Sequence, residues 1–262
     1  MTELLSKDHT ILERPVMEFR PFGVDERGEK IRDISGTIVK ANVDYLEDYV
    51  TQASGAEAGT RAVLDLCRLL NERLRDPAYH VAPRFLKNLW NSYSYEFVCY
   101  VREFCQHLSG DSQFHFNTGR YQHITAVTRI LGQHLSIGQI FSMYPFFVQK
   151  YASPDVVEIS VANATDRSIT IRLKLTEQAF RQFGPYRKRC TEMVCESAHG
   201  ALVGLPERIH GLPPATAIHR ACTVNGDVWC EWEVTWTPAE DTGLSRIIKR
   251  LFAAPQREKL NS

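Results

Sequence analysis

Val157-Glu-Ile-Ser-Val-Ala-Asn-Ala-Thr-Asp-Arg-Ser-Ile-Thr-Ile-Arg-Leu-Lys-Leu175 is the stretch where the chain changes its period. Val157, Ile159 and Val161 alternate with other residues, Asn163 to Arg167 is rich in turn formers, and Ile169, Ile171, Leu173 and Leu175 alternate again. Side chains of a strand point to opposite faces in turn, so this pattern predicts a hairpin with one buried face. Upstream the apolar spacing is three and four. Downstream a helix is expected over Phe180 to Leu202, followed by Pro206, Pro213-Pro214 and a second hairpin through Val234-Thr235-Trp236.

The upstream region reads as helices. One is expected over residues 40 to 53, led in by Gly36 and Ile38. Another follows Gly59, with Val63, Leu66, Cys67, Leu70 and Leu74 on one side and Pro77 at its end. A longer helix is predicted from Pro83 to Ser109, with Leu86, Leu89, Trp90, Tyr93, Phe97, Val101, Phe104 and Leu108 inward. Residues 113 to 121 read as an aromatic connection, and two further helices cover about 122 to 134 and 136 to 151. Residues 1 to 30 mix charge, proline and glycine, which predicts an extended arm with little core of its own. Helices first, then strand, strand, helix, strand, strand make an α+β fold: a helical layer followed by a four-stranded antiparallel sheet of ββαββ order. Three segments are expected: an arm and first helix (1–50), a ligand-binding domain (51–240) and an amphipathic tail helix with a basic face (241–262).

In the second hairpin, Cys222 and Cys230 flank Val224-Asn225-Gly226-Asp227, and His219 stands three residues before Cys222. Asn-Gly between strand-like residues predicts a type I′ turn, both central residues having positive φ. The two cysteines then lie nearly opposite each other, and Cys195, on the preceding helix, can bring a third sulfur over them. Three thiolates and an imidazole suit a tetrahedral Zn²⁺ with no position open for chemistry, hence a structural metal. His199 is the second choice for the fourth ligand and Cys190 a weaker one. Spacing alone leaves two alternatives standing, namely buried core thiols and a Cys222–Cys230 disulfide. The chain contains no Cys-x-x-Cys unit.

Cys195-Glu-Ser-Ala-His-Gly200, Gly204, His219-Arg-Ala-Cys222, Gly226-Asp227 and Cys230-Glu-Trp232 together resemble the sensory domain of enhancer-dependent activators that detect phenol and xylene. That module is of the four-vinyl-reductase type. The specific motifs cover the last third of the chain; the middle matches only in its order of elements. The resemblance implies a structural zinc held by three cysteines and a carboxylate. Cys195, Cys222 and Cys230 match the cysteines, and His219 stands at the carboxylate's place. It also implies a fold shared in outline with haem-based nitric-oxide sensors and with a subunit of Golgi tethering complexes.

In such relatives an apolar pocket between helices and sheet takes a small aromatic or hydrophobic ligand, and occupancy is passed to an output domain. The lining available here is Trp90, Tyr93, Phe97, Phe141, Tyr144 and Phe147, with Tyr121 and His123 as polar anchors, although aromatic stripes at helical spacing also suit a plain core. The haem branch uses a Tyr-x-Ser-x-Arg pattern to hold the propionates. This chain approaches it only at Tyr93-Ser94-Tyr95, with Phe97 where the arginine is needed; His107, His115 and His123 are the candidate axial ligands. A non-sensing adaptor of the same fold and an accessory role in tetrapyrrole metabolism are the alternatives.

Composition bounds the rest. Of 262 residues 44% are hydrophobic, enough for a packed core, and 31 basic residues balance 31 acidic ones, so no overall attraction to nucleic acid or membrane is expected. No apolar run reaches the roughly 18 residues of a membrane span. Seven cysteines without an export signal point to a reducing cytoplasm. There is no nucleophile elbow, phosphate-binding glycine loop or His-Glu-x-x-His pair, so a binding protein rather than an enzyme is expected. No DNA-binding, kinase or cyclase segment is present, so signal transduction would run through an unknown output protein or a homodimer.

Overall fold

β1 (Ile34–Ser35) runs straight into α1 (Gly36–Ser54), because the Ser35 side chain accepts the Thr37 backbone N–H and starts the helix. The computed structural model describes residues 11–14, 16–121 and 126–237; the tail segment 241–262 and His123 lie outside them. Gly55 separates α1 from α2 (Ala56–Arg73), and the two pack side by side through Val39, Val43 and Leu46 on one and Val63, Leu66 and Leu70 on the other.

The helix expected over Pro83 to Ser109 is interrupted. α3 (Pro83–Leu86) is a single turn, β2 (Ser92–Tyr93) pairs antiparallel with β1, and α4 (Tyr95–Ser109) begins only after Ser94, whose hydroxyl accepts the Phe97 N–H at 3.3 Å. Asn88 and Asn91 cause the break: Asn88 accepts the Trp90 N–H and Asn91 donates to the Phe85 carbonyl, offering the backbone a turn in place of a helix. α4 is buried on almost every side from Tyr95 to Cys105.

Residues 113 to 121 are not a connection but a helix, α5 (Phe114–Tyr121). Asp111 leads into it, accepting the Gln113 N–H at 2.8 Å, and tertiary packing completes it. α6 (Ala126–Gln133), α7 (Ile137–Ser142) and α8 (Tyr144–Gln149) follow. The single helix expected over 136 to 151 is split because Pro145, which has no N–H to give, sits in the first turn of α8.

β3 (Val157–Ala162) and β4 (Ser168–Leu175) form the first hairpin, with Val157 opposite Leu175 and Val161 opposite Ile171. The helix predicted for Phe180 to Leu202 is two: α9 (Glu177–Phe183) ends at Gly184, with φ 54°, and α10 (Arg187–His210) runs past Pro206 to Gly211. Pro206 therefore lies inside a helix. Arg208 folds back to donate to the carbonyls of Ala201 and Gly204, in the turn where proline leaves a backbone donor missing. α5 crosses α10 closely: a Cβ on Gly200 would overlap the Phe116 carbonyl, and one on Gly119 the Ser197 carbonyl.

β5 (Thr216–Ala221) and β6 (Cys230–Thr235) complete a four-stranded antiparallel sheet in the order β3-β4-β6-β5. The fold is the expected α+β arrangement, with ββαββ order and helices ahead of the sheet. Its inner face carries Ile169, Ile171, Leu173, Leu175, Cys230, Trp232 and Val234, all buried in one hydrophobic cluster with α4 and α10. The second turn departs from the two-residue type I′ form: the strands are joined by 222–229, Thr223–Asn225 make a 3₁₀ turn, and only Gly226 has positive φ.

The N-terminal arm also has more core than its composition predicts. Ile11 and Met17 are buried, and Arg14 forms a buried ion pair with Glu96, which accepts the Glu18 and Phe19 N–H groups as well. Among the described residues no helix is long and apolar enough to cross a membrane.

Candidate metal centre

Three elements bring the cluster together. Cys195 sits midway along α10, on its buried face; Cys222 immediately follows β5; Cys230 opens β6. Cys195 Sγ lies 2.9 Å from Cys230 Sγ and 3.9 Å from Cys222 Sγ, and Cys222 and Cys230 are 3.7 Å apart. His219 joins them, with all four ligand atoms within 4.8 Å of one another. A tetrahedron with Zn–S bonds of ~2.3 Å has an edge of about 3.8 Å. Two of the three sulfur separations match it, and the third needs Cys195 and Cys230 to part by under an ångström.

The surroundings fix the ligands' positions. His219 pairs with Trp232 across β5 and β6 and lies flat on its ring, centroids 4.7 Å apart. A register shift between His219 and Ala221 lets the strand end curl Cys222 toward Cys230. Asp227 holds the loop shut by accepting the Cys222 N–H at 2.8 Å, and the Thr223 hydroxyl lies 3.2 Å from Cys230 Sγ.

The electrostatics favour thiolate. The Cys230 thiol is pushed down to about 4, chiefly because Cys195 donates a hydrogen bond to it, with help from His219 and Thr223. Cys195 moves the opposite way, its proton being held between Cys222 and Cys230, and hydrogen bonding to Cys230 raises His219. A divalent ion bound by the group would displace the proton that Cys195 shares with its neighbours. Three sulfurs and one imidazole fit a soft or borderline divalent ion of zinc type.

The other candidate ligands are occupied. His199 donates to the Ala217 carbonyl at 3.0 Å and meets the Phe116 ring edge-on, and Cys190 is buried beside Cys99. The sequence reading gives no site role to Thr223, Asp227 or Trp232; Asp227 and Trp232 enter it only as members of the resembling motif, and Thr223 only by its place in the cysteine-flanked loop.

The aromatic residues expected as pocket lining divide. Tyr93 and Phe97 stack on each other at 5.1 Å, in a cluster with Phe22 and Phe85. Phe141 packs on Trp236, Phe147 meets Phe146, and Tyr144 is half-buried on α8. Trp90 is 93% exposed in the turn after α3, so it lines no interior pocket; it points outward because the helix breaks there. Tyr121 donates its hydroxyl to Asp48 near the surface. A separate open groove of about 640 Å³ runs between α2 and residues 80–83, past Leu64, Cys67, Asn71 and Val81.

A helical layer on a four-stranded antiparallel sheet defines the fold class, an α+β domain similar in outline to a solved H-NOX protein. An H-NOX protein from S. oneidensis, crystallised in an Fe(II) ligation state, is 15% identical, with a TM-score of 0.51 over 80% of this chain and 99% of that one. An Fe(II) unliganded H-NOX protein from K. algicida is 12% identical, with a TM-score of 0.47 over 80% of this chain and 100% of that one. At 15% identity the likeness to the S. oneidensis protein is one of fold. No family model and no curated protein matches the sequence.

Proposed function

We propose that this chain is a cytoplasmic sensory, ligand-binding protein of the four-vinyl-reductase type, in which Cys195, His219, Cys222 and Cys230 hold a structural Zn²⁺. The observation that carries the reading is the convergence of these four side chains from three elements. A filled four-ligand site leaves no position for substrate, so the metal's part is to hold the hairpin and α10 together. Recognition falls to the apolar interior within residues 51–240, for a small hydrophobic or aromatic ligand, with Phe141, Tyr144 and Phe147 the best placed of the lining candidates. Occupancy is relayed to an output protein or a second copy by contact; neither nucleic acid nor membrane is a direct partner.

Elemental analysis of purified protein tests the metal: one zinc per chain is expected, and a Cys222→Ser or Cys230→Ser protein that keeps stoichiometric zinc would refute it. Melting against phenols and fatty acids tests the ligand, since a compound bound only by the folded state raises the melting temperature. Indifference to all of them would favour an adaptor of the same fold.

The likeness to H-NOX proteins brings haem in as a second reading, and the residues do not fit it. Phe97 occupies the place where the arginine of the propionate pattern is needed, and it is buried against Tyr93. Among the candidate axial ligands, His107 is exposed and His115 is hydrogen-bonded to Gln106. Protein supplied with haemin is expected to show no stoichiometric Soret band.

A further inference from the structure

α4, α5 and α10 meet at a second polar cluster, remote in role from the cysteines. Arg102 on α4 is only 7% exposed, and its Nε and Nη1 have no hydrogen-bond partner among the described residues. His115 on α5 is wholly buried; its Nε2–H donates to Gln106 Oε1 at 3.1 Å, and its Nδ1 has no partner among the described residues. Arg189 on α10 closes the cluster, donating to Glu103 Oε2 at 3.0 Å and to Gln106 Oε1 at 2.5 Å, with Nη2 3.5 Å from His115 Nε2.

Among the described residues no carboxylate is paired with Arg102. Glu103, the carboxylate of this group on α4, is engaged by Arg189, and Glu196 on α10 also lies within electrostatic reach of Arg189. A guanidinium is always charged, and burying one without a counterion is among the costlier arrangements a fold can carry. Buried donors without acceptors are rare enough to call for an ion or a water in their place. His115 adds a second requirement. Burial, then Arg102 and Arg189, hold its ring neutral, so Nδ1 presents a lone pair and not a proton.

We propose that Arg102 and His115 form a binding site for a small singly charged oxyanion that also carries a hydroxyl, as in hydrogen carbonate or a hydroxycarboxylate. The oxyanion takes the unpaired Arg102 donors, and its hydroxyl donates to His115 Nδ1. Arg189, a quarter exposed and bridged to Glu103, lies on the Nε2 side of the His115 ring. Neither the zinc centre nor the apolar interior takes part.

The test is melting of the full chain, at constant ionic strength, against hydrogen carbonate, glycolate, acetate and chloride. The expected result is a saturable rise with hydrogen carbonate or glycolate, separating the inorganic from the organic source, about tenfold weaker binding of acetate, which lacks the hydroxyl, and no rise with chloride. Arg102→Met should abolish the response, and His115→Phe should erase the preference for glycolate over acetate. A wild-type protein indifferent to both hydroxylated anions, as expected if only water fills the site, overturns the proposal without any variant having to fold. So does an Arg102→Met protein that responds like wild type. Zinc content measured on the same samples keeps this result separate from that of the metal reading.

Discussion

The imidazole of His219 lies parallel to the indole of Trp232, with ring planes 8° apart and centroids 4.7 Å apart. Trp232 is fully buried, so it acts as a fixed floor that aims His219 at the three sulfurs from an edge strand where the ring would otherwise turn freely. Trp232→Leu should therefore weaken zinc binding by roughly 10-fold, the size expected for losing a ligand's supporting partner. Competition with a chromogenic chelator measures it, with Ala217→Ser on β5 as a control expected to leave affinity unchanged.

Metal removal should act locally. β5 has one strand neighbour, β6, and the cluster ties its end to α10. Chelation is expected to speed amide exchange through Thr216–Ala221 and loop 222–229, while α1 and α4 keep their protection. Equal acceleration throughout would mean that the metal supports the whole fold.

Glu96 is the anchor of the N-terminal arm. Its buried carboxylate takes Arg14 and the backbone of Glu18 and Phe19, while its own N–H is capped by Gln182. Glu96→Ala takes from buried Arg14 its close carboxylate, leaving the more distant Glu18 and the Phe183 carbonyl, and should cost about 3 kcal/mol by urea unfolding. Limited proteolysis should then cut within residues 11–19.

Acid should unfold the protein partly through His115. Burial, with Arg102 on α4 and Arg189 on α10 facing the ring, lowers its protonation from 6.5 to about 2. The unfolded chain binds a proton that the folded chain refuses. Stability is therefore intact above pH 6.5 and falls as pH drops toward 2, by at most about 1.4 kcal/mol per pH unit from this group. His115→Asn should flatten the slope of stability between pH 6.5 and 4.

At Gly200 two effects oppose each other. Alanine gains up to about 1 kcal/mol of helix propensity, yet its methyl would overlap the Phe116 carbonyl of α5. Moving α5 away from α10 is expected to cost about 1–3 kcal/mol, so Gly200→Ala should be net destabilising by thermal melting.

The sheet is readable because alternation along Val157–Leu175 reports directly on a buried face, and Ile169, Ile171, Leu173 and Leu175 are all buried. Helix ends are less readable. Apolar spacing runs unbroken through Trp90 and Tyr93, so the turn made by Asn88 and Asn91 is hidden beneath it. α5 escapes a sequence reading for the opposite reason, since its helicity comes from the close crossing of Gly119 and Gly200, which no local pattern encodes. At the metal site the ligand types and spacing are visible, whereas Asp227, Thr223 and Trp232 matter through positions that only the folded loop defines. Arg102 and His115 lie thirteen residues apart on different helices, and their juxtaposition is wholly tertiary.

The order in which the ligands occur along the chain has a temporal consequence. Cys195 precedes Cys230 by 35 residues, and β4, the partner of β6, is made earlier still. As the polypeptide is synthesised, the helical layer and the first hairpin can assemble while the cation's binding residues are incomplete. On the proposed zinc reading, metal capture comes after the helical layer and first hairpin, and a shortage of zinc should leave the second hairpin unfinished on an interior already largely built.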